Sequence, residues 1–168
     1  MKDIGTQRTL EPAGAPVQST TSFPPRILVV DDDVEILTLS TATLTRSGYR
    51  VNTARDGAAG WKALQTDPYD LLITDHSMPK VTGVELVKKV RFSRLTLPVI
   101  LASGTIPTEE LNRHPWLQLA ATLLKPYTCD ELMDAVRQAL STGNTIHQQI
   151  QILPIWRSQP SSNGSWLI

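Results

Sequence analysis

Residues 26–36 read RILVVDDDVEI, so a short aliphatic run leads directly into three consecutive aspartates. A short, continuous apolar run is typical of a strand that is buried on both faces of a parallel sheet. Adjacent carboxylates repel one another, and at neutral pH such a cluster either takes up protons or binds a cation. The stretch therefore predicts a buried strand whose carboxyl end delivers acids to a binding site.

Four further segments have the same apolar character and are also predicted to be strands buried on both faces. They are YRVNTA (49–54), YDLLIT (69–74), LPVILAS (97–103) and AATLLK (120–125). Helical patterns separate them. Five strands alternating with five helices predict an α/β fold, a doubly wound five-stranded parallel sheet flanked by five helices.

The helix boundaries have their own signals. Gly48 is placed to end the first helix, and Asp56 is placed to cap the second. The fourth helix, PTEELNR (107–113), is predicted to be short because Pro115 follows it. Thr128 and Glu131 have the spacing of a capping box at the start of the fifth.

Composition and length predict one domain with two tails. Of the 168 residues, residues 26–141 form the predicted domain, and residues 1–25 are a Pro- and Thr-rich leader that we expect to be disordered. Residues 142–168 are expected to be a mostly flexible C-terminal tail; docking of its apolar side chains, such as Ile146 and Ile150, is the less favoured alternative.

Charge balance, apolar runs and cysteine content limit the classes of function that this chain can have. Lys plus Arg and Asp plus Glu balance at 16 each, which gives no general electrostatic argument for nucleic acid or an anionic membrane. The sequence has no signal pattern and no apolar run long enough to span a bilayer. With Cys129 as its single cysteine, the protein is expected to be cytoplasmic.

Chemically useful side chains follow the other predicted strands. Asp75 follows the third, Ser103 the fourth and Lys125 the fifth. In an open parallel sheet, ligands bind outside the carboxyl ends of the strands. Clustered carboxylates with room for water favour Mg²⁺. A metal and a lysine could neutralise a phosphoryl group arriving on an aspartate, and a serine hydroxyl could hydrogen-bond one of its oxygens.

Four motifs in this order resemble the receiver domain of two-component response regulators, which has a flavodoxin-like fold. They are ILVVDDD (27–33), DLLITDHSMPKVTGVEL (70–86), LPVILASG (97–104) and LLKPY (123–127). The resemblance covers about Arg26 to Leu140, and the joint occurrence of the four motifs is highly specific.

The resemblance implies a role for each site residue. Asp75 would be the phosphoacceptor, Ser103 the switch hydroxyl and Lys125 the phosphate-binding lysine. It also implies that the peptide bond before Pro126 is cis. The Mg²⁺ ligands would come from Asp31 (through water), Asp32, Asp75 and the backbone carbonyl of Ser77.

Several neighbouring residues are predicted to have structural roles instead. Asp33 can serve as a helix cap, and Gly83 as a backbone requirement of the loop after the third strand. His76 is expected to face solvent. Trp116 is interpreted as a loop anchor rather than a binding hot spot.

The sequence departs from the family at two points. Many receivers carry an aromatic residue three places before the lysine, where this chain has Thr122. Receivers that hydrolyse their phosphoryl group quickly carry an amide or carboxylate where this chain has Ser77 and Thr105. We therefore expect that no aromatic side chain reports phosphorylation from this position, and that self-dephosphorylation is slow.

The leading hypothesis is a stand-alone receiver, a signalling switch rather than an enzyme; a segment similar to the receiver of hybrid histidine kinases is the variant left open. Its phosphoryl group would come from a sensor histidine kinase or a phosphotransfer protein. Its output would be contact with a downstream protein through the fourth and fifth strands and helices, or onward phosphotransfer. The alternative is a small Mg²⁺-dependent phosphohydrolase of the aspartyl-phosphate kind, although Ser77 stands where such enzymes usually carry a second acid. Dinucleotide binding is rejected because no Gly-rich turn follows the first strand.

Overall fold

The structure is a computed structural model that describes residues 23–151, with side chains up to residue 141. The predicted leader, apart from residues 23–25, and the part of the predicted tail after residue 151 lie outside the described residues. The strands are β1 (Arg26–Val30), β2 (Arg50–Ala54), β3 (Leu71–Asp75), β4 (Val99–Ser103) and β5 (Ala121–Leu124). The helices are α1 (Val34–Arg46), α2 (Gly57–Thr66), α3 (Gly83–Phe92), α4 (Thr108–Arg113) and α5 (Cys129–Gln151), and a single 3₁₀ turn spans Pro115–Leu117.

The five strands form one parallel sheet in the order β2-β1-β3-β4-β5. The strand order reverses between β1 and β3, which is the switch point where ligands bind in this class of sheet. All paired strands are parallel, and a helix connects each strand to the next one along the chain. This arrangement confirms the predicted doubly wound α/β fold.

Burial follows the position of each strand in the sheet. All residues of β3 and β4 are buried, as is β1 apart from its first residue. The prediction that all five strands are buried on both faces is wrong for β2 and β5. These two strands form the edges of the sheet, and exposed side chains such as Asn52 and Thr122 face solvent there.

The side chains of the central strands separate into two apolar cores. Ile27 and Val29 of β1 belong to the core on the α1 and α5 face, whereas Leu28 and Val30 belong to the core on the α2 and α3 face. This division follows from the alternation of side chains along a strand. Because helices cover both faces of the sheet, a ligand reaches the central strands at their carboxyl ends.

The predicted helix caps are confirmed. Asp33 accepts hydrogen bonds from the backbone N–H groups of Glu35 and Ile36, and Asp56 accepts one from Ala59. Gly48 adopts φ +88° just after α1, a conformation that favours glycine. Both bonds of the Thr128–Glu131 capping box are present.

Helix α5 continues through Gln151, beyond the predicted domain boundary at residue 141. Within residues 23–151, no helix is both long enough and apolar enough to cross a bilayer.

Candidate functional site

The ladder between β1 and β3 places two acids side by side. Val30 is in register with Thr74, so Asp31 and Asp75 follow at equivalent positions on adjacent strands. The backbone N–H of Asp31 donates to the carbonyl of Ala54 at 3.1 Å, which extends the β1–β2 ladder by one residue. Asp31 and Asp75 are 2 % and 4 % exposed. The sheet itself therefore holds two carboxylates in a buried position at the switch point.

Lys125 reaches both of these acids from the end of β5. Its backbone N–H donates to the carbonyl of Ser103 at 2.8 Å, which fixes the start of its side chain beside β4. Its Nζ donates to Asp31 Oδ2 at 2.7 Å and lies 2.6 Å from Asp75 Oδ1. The peptide bond between Lys125 and Pro126 is cis, as the family resemblance implied. One ammonium thus bridges two carboxylates that are distant in sequence.

Burial and pairing act in opposite directions on these charges. Burial raises the pKa of Asp31, and the hydrogen bond from Lys125 offsets only part of that effect. Burial also disfavours the charged form of Lys125, but hydrogen bonds to Asp31 and Asp75 outweigh it, so the pKa of Lys125 is raised. The lysine is therefore held as a cation, while the acids around it remain short of positive charge.

A third acid, Asp32, adds further negative charge to the site. Asp31, Asp32 and Asp75 each place a carboxylate oxygen within 4.8 Å of the others, and Asp32 is exposed whereas the other two are buried. Lys125 pairs with Asp31 and Asp75 but not with Asp32, so the three carboxylates leave an excess of negative charge. An all-oxygen set that is open on one side fits a hard divalent cation with bound water, so the residues present fit Mg²⁺. Asp33 does not join this set, because its side chain caps α1.

Ser103 lies at the same edge, on the other side of β3. Asp75 is in register with Ala102, so Ser103 extends one residue farther along β4. Its hydroxyl is buried, donates to the carbonyl of Thr105 at 2.6 Å and accepts from the Thr105 N–H at 3.2 Å. The hydroxyl therefore fastens the loop after β4 in this structure.

The loop between β3 and α3 is packed closely against the site. A Cβ at Gly83 would lie 2.2 Å from the Asp75 backbone oxygen, and the Gly83 N–H donates to the His76 carbonyl at 3.0 Å. The prediction that Gly83 serves the backbone is confirmed. A second glycine, Gly57 at the start of α2, would place a Cβ 2.5 Å from the carbonyl oxygen of Val81 in the same loop.

Two features of this region were missed by sequence reasoning. His76 is half-buried, and its Nδ1 is enclosed without a hydrogen-bond partner among the described residues, so the expectation of a solvent-facing side chain is wrong for that atom. Lys80 Nζ lies 2.8 Å from Asp56 Oδ2 and ties the loop to the cap of α2. Neither feature has a local signal, because each depends on which segments pack together.

Sequence comparison gives a match over most of the described chain. Residues 27–137 match the family model of the response regulator receiver domain. The chain is 37% identical over 117 residues to the alkaline phosphatase synthesis transcriptional regulatory protein PhoP of Bacillus subtilis, covering 68% of this chain and 48% of that protein. It is 33% identical to the transcriptional regulatory protein CusR of Escherichia coli, covering 76% of this chain and 57% of CusR. The chain thus spans about half the length of the curated relatives it matches.

Solved structures agree. The chemotaxis response regulator CheY4 of Vibrio cholerae has a TM-score of 0.65 at 28% identity, covering 70% of this chain and 99% of that one. The response regulator TrrA of Thermotoga maritima, solved in complex with Mg²⁺-BeF, has a TM-score of 0.62 at 30% identity, covering 69% of this chain and 99% of that one.

Fold and site together define a doubly wound α/β signalling module with an acid-and-lysine site at its switch point. The chain belongs to the family of response regulator receiver domains of two-component systems.

The close approach at Gly83 leads to a prediction. Gly83→Ala should lower the free energy of unfolding by about 1–3 kcal/mol, because the added methyl displaces the backbone at Asp75. Denaturant unfolding measures the loss. Gly104→Ala is the matched control, since a Cβ there meets nothing within 4 Å. Equal stability of the two variants would contradict the packing described for this loop.

Proposed function

We propose that this receiver accepts a phosphoryl group on Asp75, in the presence of Mg²⁺, from a sensor histidine kinase or a phosphotransfer protein. The observation that carries the proposal is the bridge from Lys125 Nζ to Asp31 and Asp75, at 2.7 and 2.6 Å, at the switch point of the sheet. A half-buried lysine that contacts the acceptor carboxylate is already in place to neutralise the negative charge of an incoming phosphoryl group.

The proposed step is an in-line displacement at phosphorus. An Asp75 carboxylate oxygen forms the new P–O bond, the P–N bond to the donor histidine breaks, and its electron pair remains on the imidazole nitrogen. The phosphoryl oxygens add negative charge beside buried acids. The Lys125 ammonium offsets part of this charge, and the Ser103 hydroxyl can donate to one oxygen if it releases the Thr105 carbonyl.

Asp31, Asp32 and Asp75 would hold the metal ion, and the Ser77 carbonyl stays a predicted further ligand. When bound, Mg²⁺ supplies positive charge that neutralises phosphoryl oxygens during transfer. Support comes from the donor set itself and from the related TrrA, which was solved with Mg²⁺-BeF.

Output would be made by protein contact through the face formed by β4, β5, α4 and α5, or by onward phosphotransfer. Leu124 of β5 is 59% exposed, and α4 has no buried residue, so this face offers accessible apolar surface on loosely packed elements. The proposal covers the receiver alone, because the chain spans about half of its curated relatives. A cytoplasmic location stays a prediction.

We further infer that the protein is a switch rather than a phosphohydrolase. A receiver needs one stoichiometric modification, whereas turnover of phosphate esters needs a second acid or base near the acceptor. Ser77 occupies the place where such hydrolases usually carry that acid. The family match favours the switch.

Incubation with Mg²⁺ and a small acyl phosphate should add one phosphoryl group to the full chain, detected by intact mass spectrometry. Asp75→Asn should abolish the adduct, because the amide is a poor nucleophile towards phosphorus. Asp33→Asn is the matched control. It also changes an acid of the triplet, but its side chain only caps a helix, a role that Asn fills equally well.

Labelling that persists in Asp75→Asn would contradict the assignment of the acceptor. Continuous turnover of a generic phosphate ester, in place of one labelling event, would support the phosphohydrolase instead.

Mg²⁺ should raise the thermal midpoint of the unphosphorylated protein, because it relieves the repulsion among three carboxylates that the single Lys125 ammonium neutralises only in part. Calorimetric scans with Mg²⁺ and with a chelator measure the shift. Asp32→Asn should remove most of it and Asp33→Asn should keep it. A shift of equal size in both variants would exclude Asp32 as a ligand.

The phosphorylated form should persist for minutes or longer without a partner phosphatase, because Ser77 and Thr105 provide no strong base to orient attacking water. Loss of the adduct from the purified protein, followed by intact mass over time, gives the rate. Ser77→Asn should accelerate decay. Decay of the wild-type adduct within seconds would refute the expectation.

A further inference from the structure

An exposed aromatic cluster lies where α3 ends, away from the acidic site. We call Phe92, His114 and Trp116 the aromatic patch. The rings of Phe92 and Trp116 are 5.2 Å apart, and those of His114 and Trp116 are 5.7 Å apart. Phe92 is 76% exposed and Trp116 is 40% exposed. Exposed aromatic side chains in mutual contact are uncommon on a protein that binds nothing there, and they mark interaction surfaces.

The backbone beneath the patch is held rigidly by one side chain. The Arg91 guanidinium donates to the carbonyls of Leu117 and Gln118 on one side, at 2.8 and 3.1 Å, and to those of Leu95 and Leu97 on the other, at 3.1 and 3.0 Å. It therefore joins the segment after α3 to the 3₁₀ turn that carries Trp116. A preorganised surface loses little conformational freedom on binding, which favours affinity.

The surroundings of the patch are basic although the whole chain is neutral. Residues 85–118 contain five Lys and Arg residues and three acids, Glu85, Glu109 and Glu110. Lys88 pairs with Glu110 at 2.9 Å, and Arg113 lies 3.3 Å from Glu109. Among the side chains that the structure describes, Lys89 and Arg94 have no carboxylate within ion-pair distance, although the charge of Glu85, one turn before Lys89, acts on Lys89.

The two unpaired cations stand beside Phe92. Lys89 is three residues before Phe92 on α3, which places the two on one side of the helix. Arg94 is two residues after Phe92 and has φ 57°, a left-handed conformation at a position where helices usually carry glycine. Both side chains are exposed. Aromatic rings flanked by cations suit an apolar side chain that has carboxylates next to it.

We propose that the aromatic patch binds an acidic segment of a partner protein, with an apolar side chain against Phe92 and Trp116 and carboxylates against Lys89 and Arg94. The site is separate from Asp75, because the ten residues from Gly83 to Phe92 carry the chain roughly 13 Å along α3. Binding there adds a second interaction surface to the receiver and does not depend on phosphorylation.

The charges around the aromatic patch favour an acidic segment over two other occupants, a second copy of the chain and a nucleic acid strand. In a symmetric contact between two copies of the chain, the same patch would meet itself, and like charges would face one another. A nucleic acid strand needs a row of cations along its phosphates, and two unpaired cations are too few to supply it.

The test is selection from a random peptide library on the immobilised full chain, with counter-selection on Phe92→Ala. Recovered peptides should be enriched in Asp, Glu and large apolar residues. They should bind at least about tenfold more weakly to Phe92→Ala and to Lys89→Glu, as measured by fluorescence anisotropy. Leu39→Ala is the matched control, because Leu39 of α1 is also exposed, at 48%. Its affinity should equal that of the unchanged chain.

Phe92→Ala should keep the thermal midpoint and acyl-phosphate labelling of the unchanged chain, which separates loss of the surface from loss of the fold. If its midpoint falls, Lys89→Glu alone decides the comparison. Recovery of basic or neutral peptides, or equal affinity for all variants, would overturn the proposal. Saturable binding of an oligothymidylate, or a dimer in sedimentation that Phe92→Ala dissolves, would overturn it in favour of nucleic acid or a second copy.

Discussion

The pairing of one ammonium with two buried carboxylates is the constraint around which this receiver is organised. Asp31 and Asp75 lie almost completely out of water, and burying carboxylates costs free energy unless a cation is paired with them. Removing one partner from a buried ion pair typically costs about 3–5 kcal/mol. The Lys125 side chain is 21% exposed. The cation that neutralises the two carboxylates therefore lies on the side of the site from which a ligand would enter. The site is thus stable enough to fold and still short of positive charge.

Parallel pairing is what brings these groups together over such distances in sequence. Lys125 and Asp31 are 94 residues apart, yet each directly follows a strand of the same sheet. The ladder continues past the strand ends, because Asp31, His76 and Lys125 each donate a backbone hydrogen bond to a neighbouring strand. Those bonds fix the backbone from which each side chain starts. Loop packing then completes the geometry, since Gly83 allows α3 to begin directly against Asp75.

Much of this could be predicted because its signals are local. The strand at Arg26–Val30, the caps at Asp33 and Asp56, and the acids and lysine after the strands can all be recognised within a few residues. What failed depends on strand order or on tertiary packing. An apolar run such as that of β5 does not reveal that its strand lies at the sheet edge. The enclosure of His76 Nδ1 likewise depends on packing that no local pattern encodes.

Because residue 122 is a threonine rather than an aromatic residue, a switch at this site would depend on the proton of the Ser103 hydroxyl. Thr122 is exposed at the edge strand and cannot fill a pocket when Ser103 moves. The Ser103 proton is donated to the Thr105 carbonyl, so a phosphoryl oxygen on Asp75 would compete for it and free the loop that leads to α4. That helix has six residues, none of them buried, and its N-cap makes no side-chain hydrogen bond. Leu111 is the α4 residue that packs against the core, so a change in one hydrogen bond would shift α4 with little repacking, and we expect α4 and its preceding loop, rather than β5, to respond.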